Sequence, residues 1–126
     1  MRTAAEVMSH ALLLIPASAS VSDASRKMEQ NRMHSLVVER ADGLDAFGII
    51  TSTDIIRKVL ARGKDPTQVA VRDVMSKPII TIPPDCNLFD IARLMEYHHV
   101  NHLPVFDGKE LIGMVSSTDI FHVRQE

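Results

Sequence analysis

The stretch Gly48-Ile49-Ile50-Thr51-Ser52-Thr53-Asp54-Ile55 recurs as Gly113-Met114-Val115-Ser116-Ser117-Thr118-Asp119-Ile120. Both copies follow the pattern G-x-x-[ST]-x-x-D, which predicts an apolar strand, a hydroxyl-rich turn and the start of a helix. The hydroxyl residue lies where the strand becomes the turn, and the aspartate lies in the first helical turn. The pattern therefore predicts two places where a hydroxyl and a carboxylate lie close together.

This pairing of hydroxyl and carboxylate has two interpretations. In the first, Asp54 or Asp119 accepts both hydroxyls of a ribose, and Thr51 or Ser116 points to the same side. A helix start also offers unpaired backbone N–H groups to a phosphate. In the second, the residues form an ordinary helix N-cap, for which Ser, Thr and Asp are preferred. Two copies in one small chain call for an explanation beyond capping.

Length and composition are those of a small globular protein. The chain has 126 residues, of which 45% are hydrophobic and 24% charged, and its net charge is −2. This charge gives no general attraction to nucleic acid or to anionic membranes. A single cysteine excludes an internal disulfide, and no apolar run approaches the roughly 20 residues of a membrane span. We therefore expect a cytoplasmic protein with no nucleic-acid or membrane partner.

Further matches extend the duplication over most of the chain. Val7-Met8-Ser9 recurs as Val74-Met75-Ser76, 67 residues later, and the glycine stretches are 65 residues apart. We place the first repeat in residues 1–63 and the second in residues 64–126. The predicted fold class is mixed α/β, with two pseudo-symmetric βαββα repeats packed sheet to sheet into one module. That packing would leave two equivalent clefts beside the two turns.

The same order of elements is predicted in both repeats. The first helix of each begins at an N-cap, Ser20 or Asn87, and the last helix of the first repeat ends near Gly63. The predicted strands are Leu12–Ile15, Leu36–Val38 and Ala46–Ile50 in the first repeat and Ile79–Ile82, Leu103–Phe106 and Leu111–Val115 in the second.

These motifs resemble a tandem pair of CBS domains, the family named for cystathionine β-synthase. The resemblance rests on the Val-Met-Ser triplets, on Leu103-Pro104-Val105 and on the two glycine stretches, and it covers about residues 6–123. It implies a regulatory module that binds an adenosine-containing ligand such as AMP, ADP, ATP, S-adenosylmethionine or NAD, with no cofactor required. It also implies a homodimer of modules that signals to an effector protein, which the sequence does not identify.

The resemblance also assigns ligand contacts to particular residues. They are Asp54 and Asp119 for the ribose, Thr51 and Ser116 for the ribose or phosphate, Leu12, Leu13, Ile79 and Ile80 for the adenine, and His34 and His102 for the phosphates. Val37 stands where the second repeat has Pro104, a departure that affects backbone stiffness more than ligand chemistry.

Other polar groups have simpler interpretations. One metal-like cluster comprises Glu96, His98, His99 and His102. His98 and His102 are four residues apart, as ligands on one helix would be, but the first repeat has no matching ligand set. We therefore favour loop histidines beside a nucleotide over a metal. Cys86 is interpreted as inert, and the basic run Arg57, Lys58, Arg62 and Lys64 as a solvated helix face.

Two function classes stay open from the sequence. One is the ligand-binding regulatory module, and the other is a structural dimerisation or docking module with no ligand. An enzyme is less well supported, because no nucleophile–base pair or metal triad is visible. The predicted homodimer would form through apolar residues of the terminal helices, which are Ile55, Ile56, Val59, Leu60, Ile120 and Phe121.

Overall fold

The computed structural model describes residues 2–123, which form helices and small sheets. In chain order the elements are α1 (Ala4–Val7), β1 (Leu14–Ile15), α2 (Val21–Asn31), β2 (Ser35–Val38), β3 (Gly48–Thr51), α3 (Ser52–Lys58), α4 (Leu88–His98), β4 (His102–Phe106), β5 (Leu111–Ser116) and α5 (Ser117–Val123). Short 3-10 turns follow α3 at Leu60–Arg62 and precede α4 at Val71–Asp73. The predicted mixed α/β class is confirmed.

The chain divides into two compact units. The middle unit comprises residues 13–79, and the terminal unit comprises the residues up to 12 together with those from 80 onward. The division does not follow the repeats, because the start of the first repeat lies in the terminal unit and residues 64–79 lie in the middle unit. The repeat boundary predicted between residues 63 and 64 is therefore not where the compact units separate.

The middle unit is built on a three-stranded sheet in the order β1-β2-β3. Strand β1 runs parallel to β2, and β2 pairs antiparallel with β3. Ser76 extends the sheet by an antiparallel bridge to Ile49. Helix α2 buries Val21, Ala24 and Met28, a spacing of three and four residues that places them on one face. The buried hydrophobic residues of α2 and those of the sheet other than Val37 belong to one core cluster.

The terminal unit has a similar arrangement, but in the described part of the chain its sheet has only two strands, and the segments beside them pair through isolated bridges. Strands β4 and β5 form an antiparallel pair, Ile82 makes a parallel bridge to Val105, and Ser9 makes an antiparallel bridge to Met114. Helix α4 buries Ile91 and Met95 into a second core cluster.

The two first strands are shorter than the sequence predicts. Leu12–Ile15 reduces to the two residues of β1, and Ile79–Ile82 is no strand but only a bridge at Ile82. Proline accounts for the second segment, which lies between Pro78 and Pro83, since proline cannot donate to a ladder and restricts the residue before it. In the first segment only Leu14 and Ile15 pair with β2, and Pro16 follows directly after them.

Helix α2 and helix α4 begin and end alike. Ser20 Oγ accepts from Asp23 N at 3.0 Å, and Asn87 Oδ1 accepts from Asp90 N at 3.0 Å, so both predicted N-caps are confirmed. Each of these helices spans 11 residues.

Between residues 2 and 123 no helix has the length and apolar character needed to cross a membrane.

Candidate functional site

The turn from β3 to α3, which we call the middle turn, is held by a reciprocal pair of hydrogen bonds. Thr51 Oγ1 accepts from Asp54 N at 3.1 Å, and Asp54 Oδ2 accepts from Thr51 N at 3.0 Å. Both residues are half-buried. This capping box satisfies two backbone donors and fixes the direction of both side chains.

The turn from β5 to α5, the terminal turn, has the same geometry. Ser116 Oγ accepts from Asp119 N at 3.2 Å, and Asp119 Oδ2 accepts from Ser116 N at 2.9 Å. The predicted positions of the hydroxyls and aspartates are thus confirmed, and both pairs act as N-caps. Capping leaves room for a ligand, because a carboxylate has two oxygens and about four acceptor positions.

The start of the neighbouring strand lies beside each turn. In the middle unit, Ser52 N donates to His34 O at 2.9 Å, and Ser35 pairs with Thr51. In the terminal unit, Ser117 N donates to Asn101 O at 2.9 Å. The two predicted histidines therefore lie near the turns but are not equivalent.

The position of each histidine relative to the sheet differs. His34 is exposed and precedes β2, whereas His102 is half-buried, is the first residue of β4 and pairs with Ser116. By the repeat offset His34 corresponds to Asn101, and His102 corresponds to Ser35. The two predicted histidines therefore occupy different positions of the repeat, and their contact with a phosphate stays a prediction.

The predicted adenine-contacting residues are half-buried but divided between the units. Leu13 packs against the middle core and Ile80 against the terminal core. The boundaries between the units fall within the two predicted pairs, so that Leu12 belongs to the terminal unit and Ile79 to the middle unit. The middle turn shares its unit with Leu13 and Ile79, and the terminal turn shares its unit with Leu12 and Ile80.

A lysine that sequence reasoning assigned to a solvated face contacts the middle turn. Lys58 Nζ lies 3.6 Å from Asp54 Oδ1 and donates to Val74 O at 3.0 Å. The lysine is four residues after the aspartate, a spacing that places both on one helix face. The signal available in the sequence was the difference between repeats, since the matching residue, 65 positions later, is Val123.

The histidines of the metal-like cluster do not share a helix. Helix α4 ends at His98, His99 adopts the left-handed conformation with φ 56°, and His102 already lies in β4. The spacing expected for helical ligands therefore does not hold. In the part of the chain from residue 2 to 123, no three His, Cys, Asp or Glu side chains are grouped to hold a metal ion.

The thiol of Cys86 is not activated. Partial burial raises its pKa, and the nearby carboxylates of Asp90 and Asp85 raise it further. The thiol therefore stays protonated at neutral pH, as expected for an inert cysteine.

The sequence and the fold of this chain are similar to those of known proteins with CBS domains. A family model described as CBS domain matches residues 4–61 and 71–126. The hexameric CBS-CP12 protein from bloom-forming cyanobacteria is 36% identical with a TM-score of 0.92, and the match covers 96% of this chain and 70% of that one. A candidate signal-transduction protein with CBS domains from Burkholderia ambifaria is 26% identical with a TM-score of 0.88, covering 98% and 93%.

Curated relatives are longer proteins. A mitochondrial CBS domain-containing protein of Arabidopsis thaliana is 34% identical over 104 residues, which are 80% of this chain and 50% of that protein. An uncharacterized protein of Methanopyrus kandleri is 36% identical over 98 residues, which are 77% of this chain and 50% of that protein. This chain thus spans about half the length of either relative.

Proposed function

This chain belongs to the CBS domain family, and from that premise we propose that it is a regulatory module that binds an adenosine-containing ligand at the middle and terminal turns. The ligand class comprises AMP, ADP, ATP, S-adenosylmethionine and NAD. The observation that carries the proposal is the duplication of one hydroxyl–carboxylate geometry in two separate units. A capping role alone needs no such match, since many residue pairs cap a helix.

The capping hydrogen bonds prepare each carboxylate for a ribose. Because the backbone N–H of Thr51 or Ser116 holds Oδ2, the carboxylate cannot rotate freely. A ribose then donates its 2′ and 3′ hydroxyls to an acceptor that is already oriented, and such charge-assisted bonds are stronger than neutral ones. The module itself supplies recognition, and we propose no catalytic step and no required cofactor.

The proposed output is a signal to an effector protein. One relative, a homoserine O-acetyltransferase of Methanosphaera stadtmanae, matches this chain over only 24% of its own length. We infer that this chain serves an activity carried by another protein or domain, and that it acts in the cytoplasm.

Self-association is part of the proposal, with a smaller surface than the sequence predicts. Ile55 and Val59 are buried in the core of the middle unit, whereas Ile56 is 57% exposed. Ile120 is half-buried against the core of the terminal unit. The positions that remain for a homodimer are Ile56, Leu60 and Phe121, all more than half exposed. The hexameric CBS-CP12 relative supports association between copies.

A structural docking module without a ligand is the alternative. It is favoured by the capping boxes, because they give all four hydroxyl and aspartate residues a structural role. Under this alternative the same residues would matter for stability and for nothing else.

Calorimetric titration distinguishes the two functions. Asp54→Asn and Asp119→Asn keep an oxygen that accepts from the capped N–H but remove the charge that binds the ribose. We expect wild type to bind AMP or another member of the ligand class, and each variant to lose at least tenfold at its own turn, from bonds of about 1.5–3 kcal/mol each. A ligand at 100 times its Kd also raises stability by about 2.7 kcal/mol. Absence of binding across the class would exclude the ligand-binding function and leave the docking alternative.

A further inference from the structure

We propose that Lys58 makes the two adenosine sites unequal, because its ammonium group competes with a ribose for the carboxylate of Asp54. The terminal turn has no such competitor at the matching position, where the sequence has Val123. The inference rests on the proposed function and names the residue that sets relative affinity at its two sites.

Both oxygens of Asp54 already have partners within the protein. Oδ2 accepts from Thr51 N at 3.0 Å, and Oδ1 lies 3.6 Å from Lys58 Nζ. At the terminal turn the cap engages Asp119 Oδ2 in the same way, and no lysine follows four residues later. Among residues 2–123, the contacts of the two aspartates therefore differ at Oδ1.

A second contact fixes the lysine in this position. Lys58 Nζ donates to the carbonyl of Val74 at 3.0 Å, so the amine is held from two sides. The side chains of Lys58 and Asp54 are 40% and 20% exposed, so solvent screens the pair only in part. An anchored amine loses less freedom in holding the carboxylate than a freely rotating one.

Competition lowers the affinity of the middle turn for a ribose. A ribose hydroxyl must either share Oδ1 with the ammonium or displace it, and displacement breaks the ion pair between Lys58 and Asp54. An ion pair of this exposure accounts for a factor of about two to five in affinity. The terminal turn is therefore the tighter site for adenosine.

The test measures each site by itself. Asp119→Asn isolates the middle turn and Asp54→Asn isolates the terminal turn, and each variant is titrated with adenosine and with AMP. Adenosine is the decisive probe because it is neutral, so removing a charge affects it only through Asp54. In the Asp119→Asn protein, we expect Lys58→Met to tighten adenosine binding about two- to fivefold.

Matched variants separate competition from other effects. Lys58→Arg keeps the charge and should keep the weaker affinity. Arg57→Met removes the same charge from the neighbouring position, whose side chain is exposed, and should leave adenosine binding unchanged. Lys58→Gln removes the charge but retains a donor for Val74 O, which controls for any loss of stability in Lys58→Met.

The outcomes distinguish this inference from the proposed function. If wild type binds neither adenosine nor AMP, the proposed function is wrong and the inference is wrong with it. If binding is present but Lys58→Met and Lys58→Gln leave adenosine affinity unchanged or weaker, only the role of Lys58 is overturned. A loss of AMP binding with no change for adenosine would also overturn it, since Lys58 would then act on the phosphate.

Discussion

Gly48 lies so close to Met75 that a Cβ atom on the glycine would come within 2.8 Å of the methionine sulfur. The backbone explains the approach, because Ile49 and Ser76 exchange two hydrogen bonds of 2.9 Å. The terminal unit repeats the arrangement, with Gly113 against Met8 and Ser9. Each glycine therefore packs against a Val-Met-Ser triplet, Gly48 against the one at residues 74–76 and Gly113 against the one at residues 7–9.

We predict that Gly48→Ala lowers the free energy of unfolding by about 1–3 kcal/mol, the range for overpacking a core. Gly113→Ala should cost more, because its Cβ would lie 2.7 Å from the Ser9 carbonyl, a backbone atom that cannot rotate away. Urea unfolding measures both. Gly43→Ala is the control, because nothing lies within 4 Å of its Cβ position. Equal effects at Gly43 and Gly48 would contradict the packing argument.

Removing the hydroxyl of a cap should cost stability in proportion to its hydrogen bond. Thr51→Ala loses the acceptor for Asp54 N, and we expect a loss of about 1 kcal/mol. Thr51→Ser keeps the oxygen and should stay close to wild type. Thermal unfolding compares the two variants, and a Thr51→Ser protein as unstable as Thr51→Ala would show that the methyl group, not the hydroxyl, matters.

Two helix ends carry a side chain where glycine is preferred. Arg32 and His99 follow α2 and α4 with φ of 52° and 56°. Glycine avoids the left-handed penalty of about 1–2 kcal/mol but loses more chain entropy, so His99→Gly should stabilise by about 0.5–1 kcal/mol.

The control for this prediction lies in the same helix. Ala92→Gly, at an exposed position in the interior of α4, should destabilise by about 1 kcal/mol. Opposite signs for the two substitutions in chemical denaturation are the expected result. Destabilisation by both would mean that His99 makes a stabilising contact that outweighs its backbone strain.

The stability contributed by Asp45, in the loop before β3, should fall in acid. A hydrogen bond from Ala41 N–H, and to a smaller extent one from Lys77, lowers the pKa of Asp45 from 3.8 to about 2. Because the folded pKa lies below the unfolded one, the stabilisation is complete above pH 3.8 and is lost as the pH falls toward about 2.

Asp45→Asn tests this dependence. The variant retains an acceptor for Ala41 N but loses the 2.6 Å ion pair with Lys77. We expect the stability difference between wild type and the variant to shrink as urea unfolding is repeated from pH 5 to pH 2. A difference that stays constant over this range would exclude Asp45 as the titrating group.

The sequence by itself determined the features that depend on neighbours along the chain. Capping at Ser20 and Asn87, the hairpins and the two hydroxyl–aspartate turns are all correctly located, because each is formed by groups a few residues apart. The duplication made these predictions stronger, since each pattern occurs twice.

Only the tertiary structure decided which distant segments meet. That Ser9 pairs with the strand of Gly113, that Lys58 reaches the carbonyl of Val74, and that Ile55 is core while Ile56 is exposed are all outcomes of packing. Periodicity shows that a helix has an apolar face, but adjacent apolar residues leave its limits undefined. Which residue is covered depends on the segment that folds against it, and that contact forms between residues far apart in the chain.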